Sequence, residues 1–117
     1  MDDSQRLRYS RHLLLNEFGE DAQERLLAAH ALVVGAGGLG SAALLYLAAS
    51  GMGRITVCDG DVVDLTNLQR QVIHREASIG KPKASSAAAT LAGVNSTIRV
   101  EALDERAGPD RLAALAR

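Results

Sequence analysis

The residues best suited to chemistry lie in the middle of the chain, where Gly35-Ala36-Gly37-Gly38-Leu39-Gly40 fits the spacing G-x-G-x-x-G. The pattern has a mechanism when it joins a strand to a helix. Gly35 permits a tight turn, Gly37 lets backbone approach a phosphate, and Gly40 allows close packing of helix on strand. Phosphate charge then meets unpaired N–H groups at a helix N-terminus. Asp59 stands nineteen residues beyond Gly40, at the end of the next apolar run, where an acid can accept hydrogen bonds from ribose hydroxyls. NAD and ATP both carry that ribose, so these residues point to an adenosine nucleotide without choosing one. Asp61 and Asp64 read as solvated loop acids, and His12 and His74 as surface or core histidines.

The discriminating residues come later: Asn67, Arg70 and Lys83. A pyrophosphate bridge is neutralised largely by a helix N-terminus, whereas a triphosphate carries more charge and the pyrophosphate it releases carries more still. Two further cations answer that need. Singly, each also resembles a solvated surface charge, and spacing alone does not bring them together. Cys58, the single cysteine, reads as a small apolar strand residue.

These residues need a scaffold, and the apolar pattern supplies one. Residues 4–18 read as a helix with Leu7, Leu14 and Leu15 on an apolar side, stopped by Gly19; residues 20–29 read as a second, with Ala22, Leu26 and Ala29 near one face. Residues 30–34, with adjacent valines, suit a strand buried on both faces. An alanine- and leucine-rich helix follows over 41–50, closed by Gly51 and Gly53, then a β-branched strand over 54–59. A polar connection over 60–80 precedes a helix that starts at Lys81-Pro82-Lys83 and runs to Leu91. Such long connections in compact domains tend to be functional. Residues 97–103 alternate Ile98, Val100 and Ala102 against Arg99 and Glu101 as a third strand, and Pro109 opens a last helix over 110–116.

The order is αα followed by β-α-β-loop-α-β-α. It predicts an α/β fold: a Rossmann-like parallel sheet with crossover helices, preceded by two N-terminal helices. Residues 1–29 form the helical segment and residues 30–117 the nucleotide-binding domain. A doubly wound domain would next return to the sheet, so the expectation is an incomplete domain, truncated before its fourth strand.

Composition narrows the function classes. Thirteen Lys and Arg against fourteen Asp and Glu leave a net charge of -1, so no global basic field holds nucleic acid or an anionic membrane. A single cysteine excludes an internal disulfide and any multi-thiolate zinc site, and suits a reducing compartment such as a cytoplasm. The N-terminus, Met1-Asp2-Asp3-Ser4, is acidic where a secretory signal would be basic and then apolar. Residues 26–53 hold no Asp, Glu, Lys or Arg, a length that could span a bilayer, but four glycines in six positions break it into strand, turn and helix. No membrane span is expected.

Four motifs in register, the glycine loop, Asp59-Gly60-Asp61, Asp64-Leu65-Thr66-Asn67-Leu68-Gln69-Arg70-Gln71 and Ile79-Gly80-Lys81-Pro82-Lys83, resemble the ThiF/MoeB family of ubiquitin-activating-enzyme-like adenylyltransferases. Arg8-Tyr9-Ser10-Arg11-His12 is similar to that family's opening helix. The resemblance implies ATP as substrate and a ubiquitin-like sulfur-carrier protein ending in Gly-Gly as partner, in a thiamine or molybdopterin type of pathway. It implies that Gly38 lies against the nucleotide, Asp59 holds the ribose, and Asn67, Arg70 and Lys83 contact the phosphates. Arg11 would enter the neighbouring subunit's site in a homodimer. The family's magnesium-associated aspartate, its zinc-binding cysteine pairs and its reactive cysteine fall beyond these residues, and Cys58 does not match the last of these. Two other readings stand beside this one: a dehydrogenase-type NAD(P)-binding domain, resting on the glycine loop and Asp59 alone, and a non-catalytic nucleotide-binding remnant or partner subunit.

Overall fold

A computed structural model describes residues 1–14 and 19–116. Its elements are α1 (Asp3–Arg8), α2 (Ser10–Leu13), α3 (Gly19–Leu27), β1 (His30–Val34), α4 (Gly38–Ser50), β2 (Arg54–Cys58), α5 (Lys83–Val94), β3 (Arg99–Leu103) and α6 (Pro109–Leu115). Two short 3-10 turns, Leu65–Asn67 and Glu76–Ser78, lie in the connection between β2 and α5. The strands form one parallel sheet in the order β1-β2-β3, with His30 beside Arg54 and Arg54 beside Arg99. The predicted class therefore holds, with α4 and α5 as the crossovers.

Both crossovers pack on one face of the sheet. Leu44 and Ala48 of α4 and Ala84, Ala87 and Leu91 of α5 meet Ile55 and Val57 of β2 in a fully buried cluster, flanked by Val33, Val100 and Ala102. The alternation read in β3 is thus the inward set. The opposite face carries His30, whose ring bonds Thr56 Oγ1, and Glu101, paired with Arg54 and Arg99. For this reason β1 is not buried on both faces as expected. Its residues are half-buried and Val34 is exposed, because the crossover helices cover one side only.

The expected helix over 4–18 is broken. α1 ends at Arg8, Tyr9 turns the chain, and α2 resumes at Ser10; Leu15, Glu17 and Phe18 lie outside the described residues. Leu7 and Leu14, placed on the apolar side by periodicity, are exposed, while Tyr9 is buried. Tyr9 takes the inward position because its hydroxyl accepts from Asn95 Nδ2 and its ring stacks on His12, so its polar tip is satisfied inside. Gly19, expected to stop a helix, opens α3 with φ of 67°.

The ends of the elements matter for the site. α4 begins at Gly38, three residues before the predicted Ser41, and Gly51 closes it in the left-handed conformation at φ 97°. β2 ends at Cys58, leaving Asp59 just past the strand, although its N–H still bonds Leu103 O at 3.1 Å. Lys83 is the first residue of α5, with Pro82 at its N-cap. Among the described residues no helix is long and apolar enough to cross a membrane.

Candidate functional site

The glycine loop joins β1 to α4 at the carboxyl ends of the strands, where ligands of open α/β sheets bind. Gly35 sits at φ 95° and donates its N–H to Cys58 O, which makes the tight turn. A Cβ at Gly40 would stand 2.0 Å from Gly35 O, so helix and turn pack only because this residue is glycine. Gly38 is exposed, and a Cβ there would meet nothing within 4 Å. No side chain caps α4, which leaves its first N–H groups to a ligand or solvent.

Asp59 is bonded to this loop. Its Oδ2 accepts the Ala36 N–H at 2.8 Å and its Oδ1 the Asp61 N–H at 2.7 Å. Each oxygen keeps a second lone pair, so the carboxylate can hold the loop and still accept from a hydroxyl. A cavity of about 320 Å³ opens beside it, lined among others by Val34, Gly35, Cys58, Asp59 and Glu105. Arg106 pairs with Asp61 at its rim. Cys58 itself is buried, its thiol donating to Glu105 O at 3.2 Å.

The connection 60–80 folds back on itself at its mouth. Val63 N–H donates to Lys81 O, Gly80 N–H to Val63 O, and Lys83 N–H to Asp61 O. Within it, Asp64 caps the first 3-10 turn: its Oδ1 accepts from Thr66 N–H and Thr66 Oγ1, while Asn67 Oδ1 accepts the Asp64 N–H at 3.0 Å. Those bonds hold the Asp64 carboxyl below its ordinary value, with Lys83 adding to the effect. They also orient Asn67, since a backbone N–H demands the oxygen and so leaves the amide N–H groups for a ligand.

Lys83 is 8% exposed and, among the described residues, its ammonium makes no hydrogen bond or ion pair. Its charge acts on the Asp64 carboxylate without a direct bond, so its three N–H donors stay open to an anion. Arg70 is exposed and likewise makes none among the described residues, so nothing within the chain ties it to Lys83. Arg11 is not brought to the site. It lines a separate cavity with Tyr9 and Ala49, at the C-terminal end of α4, while the glycine loop is at its N-terminal end. A rise of about 1.5 Å per residue puts some 16 Å of helix between those ends.

Two residues escaped the sequence reading. Gln71 is 4% exposed, its Oε1 is buried with no partner, and its Nε2 lies 3.7 Å from where a Cβ on Gly37 would be. His74 is a core histidine, as one of the two alternatives allowed, but it is placed against the loop, with Nε2 2.7 Å from Ala36 O and Nδ1 2.8 Å from Ser86 Oγ. Burial pushes its imidazole below the ordinary value and Lys83 pushes it the same way, against the opposing bond to Ala36. A polar stretch such as 69–76 gives no periodic signal that would mark either residue as buried. No group of three or more His, Cys, Asp or Glu able to hold a metal ion occurs among the described residues.

Residues 9–117 match the ThiF family. Over 106 residues the chain is 50% identical to the SAMP-activating enzyme E1 of Haloferax volcanii, covering 91% of this chain and 39% of that protein. It is 43% identical to the molybdopterin-synthase adenylyltransferase of Salmonella typhimurium over 115 residues, 98% of this chain and 46% of that one. Among solved structures, E. coli tRNA N6-threonylcarbamoyladenosine dehydratase in complex with ATP superposes with a TM-score of 0.87 at 35% identity, covering 97% of this chain and 46% of that one. The chain thus spans less than half the length of each.

Proposed function

Because the chain belongs to the ThiF family, we propose that it supplies the nucleotide-binding part of an ATP-dependent adenylyltransferase acting on the C-terminal glycine carboxylate of a ubiquitin-like sulfur-carrier protein. The observation that carries this reading is the Lys83 ammonium at the start of α5, with no hydrogen bond or ion pair among the described residues, together with a glycine loop tied to Asp59 at the carboxyl ends of the strands. A carboxylate oxygen of the carrier attacks the α-phosphorus of ATP, the bond from that phosphorus to the bridging oxygen breaks, and acyl-adenylate and pyrophosphate form. No covalent enzyme intermediate is needed. Gly35, Gly37, Gly38 and Gly40 shape and open the loop against the phosphates, and Asp59 accepts from the ribose. Asn67 donates through its free amide, while Arg70 and Lys83 stabilise the charge of the departing pyrophosphate.

Arg11 acts in trans, in a homodimer. Its place at the far end of α4 keeps it from its own glycine loop, and Leu39 and Tyr46 leave an exposed apolar stripe on α4 for a second copy. Magnesium would accompany ATP as charge neutralisation, and the described residues offer no cluster of three or more His, Cys, Asp or Glu to hold it. Zinc does not fit a chain with one buried cysteine.

The test is ATP–pyrophosphate exchange with a carrier ending in Gly-Gly, beside competition binding of ATP and NAD(H). Exchange that depends on the carrier supports the reading. NAD(H) displacing ATP at lower concentration overturns it in favour of a dinucleotide-binding domain. ATP binding without exchange leaves a nucleotide-binding remnant or partner subunit, and exchange driven by RNA instead of the carrier overturns the substrate.

A further inference from the structure

Two consecutive peptides of the loop are each held by one side chain, Gly35–Ala36 through its N–H and Ala36–Gly37 through its carbonyl oxygen. The Ala36 N–H is bonded to Asp59 Oδ2 at 2.8 Å, and the Ala36 carbonyl oxygen lies 2.7 Å from His74 Nε2. A carbonyl oxygen only accepts, so Nε2 carries the proton and Nδ1 accepts from the Ser86 hydroxyl, 2.8 Å away on α5. Every polar atom of this 5% exposed ring is therefore used. In a planar trans peptide the N–H points opposite to the C=O, so fixing the oxygen of Ala36 fixes the direction of the Gly37 N–H. That N–H has no partner among the described residues. The Ser41 hydroxyl also donates to the Ala36 oxygen, but at 3.4 Å, and glycine does little to restrain its own torsions, so without the short His74 bond the peptide could turn over at small steric cost.

We propose that His74 is a positioning residue that locks the Ala36–Gly37 peptide with the Gly37 N–H presented to the nucleotide phosphates, Ser86 holding the ring in the required tautomer. The lock connects three elements that periodicity treats separately: the loop after β1, the connection 60–80 and α5. The charged groups acting on the ring are Lys83 and Asp59. The proposal rests on the nucleotide reading above, and its test separates the two.

His74→Gln places an amide nitrogen where Nε2 stands, whereas His74→Asn reaches only toward Ser86 and leaves the Ala36 carbonyl only the long 3.4 Å bond from the Ser41 hydroxyl. We expect ATP to bind about tenfold more weakly to H74N and within about threefold of wild type to H74Q, the worth of one oriented hydrogen bond. Melting temperatures should fall alike in both. Without nucleotide, millisecond exchange broadening at the Gly37 amide should appear in H74N and be absent from wild type and H74Q, and the His74 ring 15N spectrum should show the Nε2-protonated form. A Gly37 amide undisturbed in folded H74N, or affinity losses that follow melting temperature equally in both variants, overturns the lock. If the wild type binds no ATP, the nucleotide reading falls, while the Gly37 exchange and ring tautomer still decide the lock.

Discussion

At the N-terminal edge of the sheet Tyr9, Gln23 and Asn95 are buried with their polar atoms paired, whereas at the C-terminal edge Gln71 is nearly as enclosed and leaves Oε1 unpaired. Asn95 Nδ2 donates to Tyr9 hydroxyl and Ala48 O, and its Oδ1 accepts from Thr97 N–H and Oγ1. Gln23 Nε2 donates to Ser50 O while its Oε1 meets His12 Nδ1. The opposite edge combines an uncapped helix start, an exposed Gly38 and a Lys83 ammonium with no hydrogen bond or ion pair among the described residues. Buried polar groups in folded proteins are nearly always satisfied; although His30 Nδ1 at the start of β1 is also unpaired, the Tyr9, Gln23 and Asn95 network is closed by the chain itself, whereas the other edge gathers open donors that suit a ligand. The difference teaches which substitutions should damage stability and which should damage binding.

The largest expected effect is Gly53→Ala at the closed edge. Its Cβ would stand 1.6 Å from Leu27 O, backbone against backbone, so a loss of more than about 4 kcal/mol is expected by chemical denaturation. A G53A protein of near wild-type stability would show that this edge is not tightly packed. Asn95→Ala should follow at roughly 2–4 kcal/mol, since it takes the Nδ2 donor from the buried Tyr9 hydroxyl and the Oδ1 acceptor from Thr97, leaving the Ala48 carbonyl only the Gly51 N–H, with ATP affinity of the folded protein unchanged. An ATP defect in N95A beyond its unfolded fraction would break the division between the edges.

Lys83→Ala reverses the pattern. Adenylation should slow by about 2 kcal/mol or more in barrier while stability shifts by less than about 1, because the ammonium has no hydrogen bond or ion pair to lose among the described residues. Arg70→Ala should do the same, and wild-type exchange rates in either variant would remove that cation from the mechanism. Gly38→Ala sharpens the contrast with Gly53: open space around its Cβ predicts unchanged melting but about tenfold weaker ATP binding, measurable by titration calorimetry.

The smallest effect is on pH. Burial and Lys83 lower the His74 value below 6.5, so the unfolded chain binds the proton more readily than the folded one. Stability is then complete above the unfolded value and is lost as pH falls toward the folded one, with a slope of at most about 1.4 kcal/mol per pH unit from this group. Denaturation curves from pH 7 to 5 should be flatter for H74Q than for wild type; equal slopes would mean that His74 titrates as it does unfolded.

Much of this division is legible in the amino-acid sequence. The element order, the parallel sheet, the turn at Gly35, the closure at Gly51 and the inward set of β3 all follow from short-range periodicity and backbone freedom. The helix over 4–18 failed because an aromatic residue with a buried hydrogen-bond partner 86 positions away outweighed the leucine stripe. His74 and Gln71 were missed as parts of the loop for a similar reason. Their burial depends on the connection closing at Val63 and Lys81 and on Ser86 arriving from α5.

By itself, then, the amino-acid order determined a nucleotide-type glycine loop, an acid placed after the second strand and two candidate cations beyond it. Local spacing sets those features, and they need no distant partner to be recognised. Only the tertiary structure decided that Asp59 and His74 hold the two sides of Ala36, that Lys83 is nearly buried with no hydrogen bond or ion pair among the described residues, and that Arg11 lies at the wrong end of α4 to serve its own loop. Each of those facts is a contact, or the lack of one, between segments far apart in the chain. Their energies depend on what packs against what, which no local pattern of residue types contains.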